Sequence, residues 1–243
     1  VATPNPTHYQ IVKDALLHGK HVFCEKPLTL KTSECNELKK LASENNLKLH
    51  VEYTFTFSKA LQEARQLYKN GFIGDMVSIE MSNRHLGRFG GGSVYWLLGS
   101  HMLSILDMFT CMASLRFCVT DLIVYDGEVE TGAIDFEGAI IGHILLSLNY
   151  PSKEVRVIFY GENGTMIYDA VNDPSICAVS YERLKWTVAD SLPKKTKVNY
   201  IDEKDNLKYA FESFYNVLCD KEQSNVDSAI KITSLLERLH SIT

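Results

Sequence analysis

Apolar residues recur at helical spacing from Tyr9 to His18, where Ile11, Val12, Ala15 and Leu16 form one stripe and Gly19 offers a stop. The run His21-Val22-Phe23-Cys24 is short and rich in β formers, and Pro27 closes it, so it predicts a strand. Helical spacing returns with Cys35, Leu38, Leu41 and Ala42 and ends at Asn45-Asn46; the following Leu47 to Tyr53 alternates as a second strand. Helices separated by single strands predict parallel βαβ units, whose strands are buried on both faces. The chain opens on what reads as the end of an earlier strand.

The pattern then changes. Ser58 is placed to cap a helix reaching Asn70, with Leu61, Ala64, Leu67 and Tyr68 as its buried face and Gly71 at its end. From Met76 to Ser82, Val77, Ile79 and Met81 alternate with polar residues as in a one-sided strand. Residues 94–109 read as a helix. Strand-like runs follow near 115–125, 131–137, 139–149, 154–160, 165–169 and 176–181, with Gly161-Glu162-Asn163-Gly164 as a turn. Spacing this short leaves no room for crossovers, so the sheet is expected to be mostly antiparallel. The polar stretch 185–204 reads as a surface excursion, and helices near 205–219 and 226–241 close the chain. The expected architecture is an α/β part over residues 1–53 and an α+β domain over 54–243, with the break near 53–57.

Composition narrows the function. Lys and Arg number 25 against 30 Asp and Glu, a formal charge of −5 without a basic cluster, which disfavours nucleic-acid and anionic-membrane binding. No apolar run reaches the roughly 18–20 residues of a membrane-spanning helix. The six cysteines are scattered without a C-x-x-C pair, and the eight histidines without an H-x-x-x-H pair. Reduced thiols, a cytoplasmic location and no metal are therefore expected.

Two features carry chemistry. Cys24-Glu25-Lys26-Pro27 stands at a strand end, where ligands of parallel sheets bind; the alternative is a surface ion pair leading into a turn. His101, in Gly99-Ser100-His101, lies in register with Val94, Ile105 and Met108 on an apolar helix face. It is either a satisfied core histidine or a general acid/base. Before it, Gly87-Arg88-Phe89-Gly90-Gly91-Gly92 is either a substrate loop or a glycine-rich connection, and it lacks the G-x-G-x-x-G pattern of a dinucleotide fingerprint.

Taken together, Val1-Ala2-Thr3-Pro4-Asn5-Pro6-Thr7-His8, Gly19-Lys20-His21-Val22, Glu25-Lys26-Pro27-Leu28 and the later Gly99-x-His101 resemble the glucose–fructose oxidoreductase/inositol dehydrogenase (Gfo/Idh/MocA) family. The resemblance covers nearly the whole chain. It implies the C-terminal half of a Rossmann-like domain followed by an open, mostly antiparallel sheet. It also implies an NAD- or NADP-dependent oxidoreductase acting on a sugar, cyclitol or nucleotide-sugar hydroxyl. On it, Thr3, Pro4, His8 and Pro27 line the cofactor and Glu25 approaches the nicotinamide ribose. Lys26 polarises the substrate hydroxyl, His101 exchanges its proton, and Tyr53 and Arg88 border the substrate. Subunits are expected to associate through the open sheet.

Two departures accompany it. The family commonly places Asp four residues before the histidine and another acid three residues after it, where this chain has Leu97 and Ser104. The family's first strand, glycine-rich phosphate loop and acidic ribose-binding residue have no counterpart here. The resemblance therefore implies a chain lacking the N-terminal part of its nucleotide domain, with impaired dinucleotide binding. The alternative expectation is a non-catalytic sugar-binding or oligomer-forming member of the same fold.

Overall fold

The computed structural model describes residues 1–87, 89, 91–181 and 195–240. In chain order come α1 (His8–Leu17), β1 (Val22–Glu25), α2 (Thr32–Glu44), β2 (Leu49–Glu52), α3 (Lys59–Lys69) and β3 (Met76–Leu86). A π-helical turn (Tyr95–Gly99) leads into α4 (Ser100–Phe109), followed by β4 (Leu115–Tyr125), β5 (Glu128–Gly138) and β6 (Ile141–Ser147). The remainder is β7 (Asn149–Gly161), β8 (Gly164–Asp169), β9 (Ile176–Tyr181), β10 (Lys195–Tyr200), α5 (Asn206–Leu218) and α6 (Val226–His240). These form two compact units. One comprises Val1–Phe57, Tyr95–Asp107 and Asp205–Thr243, the other Ser58–Val94 and Met108–Lys204.

In the first unit β1 and β2 pair in parallel, Val22 opposite Leu49 and Glu25 opposite Glu52. Val1 extends the sheet on the other side of β1, its amino group donating to the Phe23 carbonyl and its carbonyl accepting from the Glu25 N–H. Gly19 ends α1 at φ +70, a conformation that costs a side-chain-bearing residue more than glycine. One sheet face carries Phe23 and His50, which stack with Phe214 of α5. On the other face Cys24 and Val51 are fully buried. There α2 and α6 are joined by Glu237, whose Oε2 accepts from both the N–H and the hydroxyl of Thr32. Asn225, just before α6, completes the outer edge of β2: its Oδ1 accepts from the Val51 N–H at 2.8 Å and its Nδ2 donates to the Val51 carbonyl at 2.7 Å.

The second unit is an eight-stranded sheet in the order β10-β9-β8-β7-β3-β6-β5-β4. Among the described residues only β3 and β6 run parallel there. Ser58 caps α3, accepting from the Leu61 N–H while its hydroxyl donates to Asp202, which also accepts from the Ala60 N–H. Ala60, Leu61 and Ala64 are fully buried, as are Ile79, Phe159 and Met166 of the sheet. The opposite face, bearing Glu80, Ile141 and Cys118, is open. Gly142 sits where a Cβ would meet the Ile79 carbonyl oxygen at 2.0 Å, so only glycine lets β6 approach β3 this closely.

Three expectations are corrected here. Val77 is 50% exposed, because a bulge between Met76 and Ser78 shifts the alternation and buries Met76 instead. The helix expected over 94–109 begins with a π-helical turn. Residues 195–200, expected in a surface excursion, form the edge strand β10; the rest of that stretch up to residue 194 lies outside the described residues. Among the described residues no helix is long and apolar enough to cross a membrane.

His50 ties this fold to pH. It is 1% exposed; its Nδ1 accepts from the Asn225 N–H and its Nε2 faces the Ser213 hydroxyl, which donates to Glu222. Burial pushes its pKa down to about 4 from 6.5, because the charged imidazolium would lose its hydration there. The unfolded chain takes up this proton as pH falls below 6.5 while the folded chain resists it down to about 4. The stabilisation is thus complete above 6.5 and is lost across that window, by roughly 3 kcal/mol at most. Thermal melts across it should fall more steeply for the unaltered chain than for His50→Gln.

Candidate functional site

The C-terminal ends of the parallel strands bring together Thr3 beside β1, Glu25 at its end with Lys26-Pro27 after it, and Glu52 at the end of β2 with Tyr53 after it. Such strand ends are where open α/β sheets hold ligands, since the connecting loops diverge there and leave a crevice. Thr3 and Pro4 are exposed. His8, from the first turn of α1, is fully buried, and both its ring nitrogens reach backbone carbonyls: Nδ1 that of Pro27 and Nε2 that of Thr3, each at 2.8 Å. Its ring therefore ties the loop after Val1 to the loop after β1.

Lys26 Nζ donates to the Leu97 carbonyl at 2.7 Å. Leu97 lies inside the π-helical turn, where the wider winding disturbs the regular hydrogen-bond ladder and lets a side chain reach a main-chain acceptor. Four residues on, His101 lies in the first turn of α4 and meets Phe55 edge-on, ring centroids 5.2 Å apart at 74°. Lys26, the π-helical turn, His101 and Phe55 all belong to the first unit. Ser104 turns back on the helix, its hydroxyl donating to the His101 carbonyl.

Tyr53 is 1% exposed, its hydroxyl is buried without a hydrogen-bond partner, and burial pushes its phenol pKa well up. It therefore packs beneath the site, with its hydroxyl out of reach of solvent. Arg88 lies outside the described residues. Burial likewise pushes the Cys24 thiol up to about 12, which keeps it protonated and unreactive. Among the described residues no group of three His, Cys, Asp or Glu side chains is arranged to hold a metal.

One residue stands out that the sequence pattern did not single out. Glu52 is 3% exposed; its Oε2 accepts from the Thr54 hydroxyl at 2.7 Å and its Oε1 is buried with no hydrogen-bond partner. Burial pushes its pKa up to about 6; the Thr54 bond opposes the rise, Glu25 adds to it and Lys26 opposes it. Alternation with Lys48 and His50 puts Glu52 on the polar face of the strand, which in a one-sided sheet would meet water. Here α5 and the turn after Tyr53 cover that face.

Parallel strands with connecting helices, and a lysine at a strand end that donates to the turn before a histidine-bearing helix, mark the first unit as an α/β fold. Residues 1–53 match the Gfo/Idh/MocA model of an oxidoreductase family with an NAD-binding Rossmann fold. An oxidoreductase of Bacillus subtilis described as uncharacterised is 40% identical over 85 residues, 35% of this chain and 22% of that protein. A scyllo-inositol 2-dehydrogenase (NADP(+)) of the same organism is 26% identical over 199 residues, 74% of this chain and 59% of the relative. The chain thus spans less than two thirds of the length of these relatives. In fold it resembles the UDP-N-acetylglucosamine 3-dehydrogenase of Acidithiobacillus ferrooxidans, with a TM-score of 0.83 at 19% identity, covering 99% of this chain and 77% of that one. The fold is therefore a Rossmann-like α/β part combined with a mostly antiparallel sheet, as expected.

The His8 ring gives this site a stability test. His8→Leu removes both carbonyl contacts from a buried position, and chemical denaturation should show a loss of about 2–3 kcal/mol. An unchanged midpoint would mean that the ring is not the tie between the two loops.

Proposed function

We propose that this chain is part of an NAD(P)-dependent oxidoreductase that moves hydride between nicotinamide and a hydroxyl-bearing carbon of a sugar, cyclitol or nucleotide sugar. The observation that carries the reading is the Lys26–Leu97 hydrogen bond, which fixes an ammonium against the turn leading to His101. The names of the inositol dehydrogenase and the UDP-sugar dehydrogenase above support the substrate class.

The residues present fit the nicotinamide end of such a cofactor. Exposed Thr3 and Pro4 and half-buried Glu25 and Lys26 share one end of the sheet, and a buried carboxylate oxygen of Glu52 there has no protein donor. Thr3, Pro4, Glu25 and Pro27 would hold the nicotinamide-ribose portion. When bound, the nicotinamide supplies or accepts the hydride. In the oxidative direction His101 accepts the hydroxyl proton, and the Lys26 ammonium, oriented by the Leu97 carbonyl, donates a hydrogen bond to the oxygen as its negative charge grows.

With NAD(P) and a panel of cyclitols and sugars, Lys26→Met and His101→Ala should each lower turnover by about 10²–10⁴-fold. Their melting temperatures should stay near that of the unaltered protein. Turnover that survives His101→Ala would remove the acid/base assignment. Sugar binding without any nicotinamide binding would favour the non-catalytic reading, to which the neutral Leu97 side chain lends support.

A second copy is proposed to cover the open face of the large sheet. Ile141 is 57% exposed there, beside a groove of about 680 Å³ lined by Glu80, Asp135 and His143 among others. Ile141→Asp would bury a charge in that contact. Sedimentation should show association weakened at least about tenfold, while an unchanged oligomer would place the contact elsewhere.

A further inference from the structure

Lys26 is half-buried, and the Leu97 carbonyl to which it donates is a neutral dipole. A desolvated ammonium keeps its proton and its orientation more firmly when a negative charge is near. Glu25 and Glu52 end adjacent strands as register partners, and Lys26 follows Glu25 directly. Of the two acids Glu52 is the more deeply buried, at 3% exposure. One of its oxygens is engaged by Thr54, and the other, Oε1, is sequestered from water without a partner.

We propose that Glu52 is a positioning residue for Lys26, the carboxylate whose field keeps the ammonium charged and aimed at the Leu97 carbonyl. Its relevance to turnover rests on the role given to Lys26 above, but the electrostatic coupling exists or fails without any cofactor. Burial keeps the Glu52 field strong, since little water intervenes to screen it. Among the described residues at these strand ends Glu25 also bears charge and repels the Glu52 carboxylate, while Lys26 attracts it. Glu52 is ionised above about pH 6 and protonated below, and on this proposal Lys26 senses the change. His101, four residues beyond Leu97, is a second titratable group and must be distinguished from Glu52.

The test uses the whole chain without cofactor. Its lysines are reductively methylated with carbon-13, and the Lys26 resonance, identified by its loss in Lys26→Arg, is followed from about pH 5 to about pH 11. The unaltered chain should show a small inflection near pH 6 besides the ammonium's own titration. Glu52→Gln should abolish that inflection and let the ammonium deprotonate at a pH about one unit lower, an approximately tenfold larger neutral fraction at a given pH. Adding Leu97→Asp to Glu52→Gln should restore the higher titration, because it returns a carboxylate to Lys26 from the other side. His101→Gln should leave the inflection in place.

The inference is overturned if the unaltered chain shows no inflection near pH 6, an outcome that requires no variant to fold. It is also overturned if Glu25→Gln rather than Glu52→Gln removes the inflection, or if His101→Gln does. Should the coupling appear while Lys26→Met leaves turnover unchanged, the catalytic reading fails and this one stands. The reverse pair of outcomes separates them the other way.

Discussion

A parallel pair of strands must be covered on both faces, and it also leaves main-chain donors and acceptors on its outer edges. Much of the first unit follows from meeting that demand. Phe214 of α5 stacks against Phe23 and His50 on one side, and α2 and α6 close the other over Cys24 and Val51. Val1 pairs with one edge and the Asn225 amide with the other. Helices from the last forty residues of the chain are therefore as necessary to β1 and β2 as the loops between them. The site inherits its rigidity from this arrangement, because Lys26 begins where β1 ends.

The same cover places polar groups where water cannot reach them. His50 and Glu52 lie two residues apart on β2 and are pushed by burial in opposite senses of charge: both are driven toward neutrality, the imidazole by losing a proton and the carboxyl by keeping one. The histidine sits in a network that suits its neutral form, with a donor at Nδ1 and the Ser213–Glu222 pair at Nε2. The glutamate does not, since one of its oxygens is left over. A buried group with a satisfied network reads as architecture; one with an unused acceptor at a strand end reads as chemistry.

Local features were the legible ones. Gly19 after α1, Ser58 before α3 and the alternating strands of the second unit are each decided within a few residues, by a left-handed turn, a cap or a pleat. The family resemblance of the first residues was legible as well, in Thr3-Pro4 and Glu25-Lys26-Pro27. What escaped depends on distant partners. Val77 turns outward because of a bulge against β7, and β10 is a strand only because β9 lies beside it. Leu97, notable in the sequence for a side chain that carries no charge, contributes through its backbone carbonyl, a group that no substitution pattern reveals. Glu52 escaped because its burial depends on α5 and the turn after Tyr53, which pack together beside it.

Asn225 has a consequence beyond the burial of β2. Strand edges with free amides and carbonyls are where chains exchange segments or stack into fibres. Here a single carboxamide occupies both main-chain groups of Val51, as the next peptide of a sheet would. The growth of the small sheet is thereby stopped at that position by one side chain, with no hairpin, proline or charged fringe needed to do it.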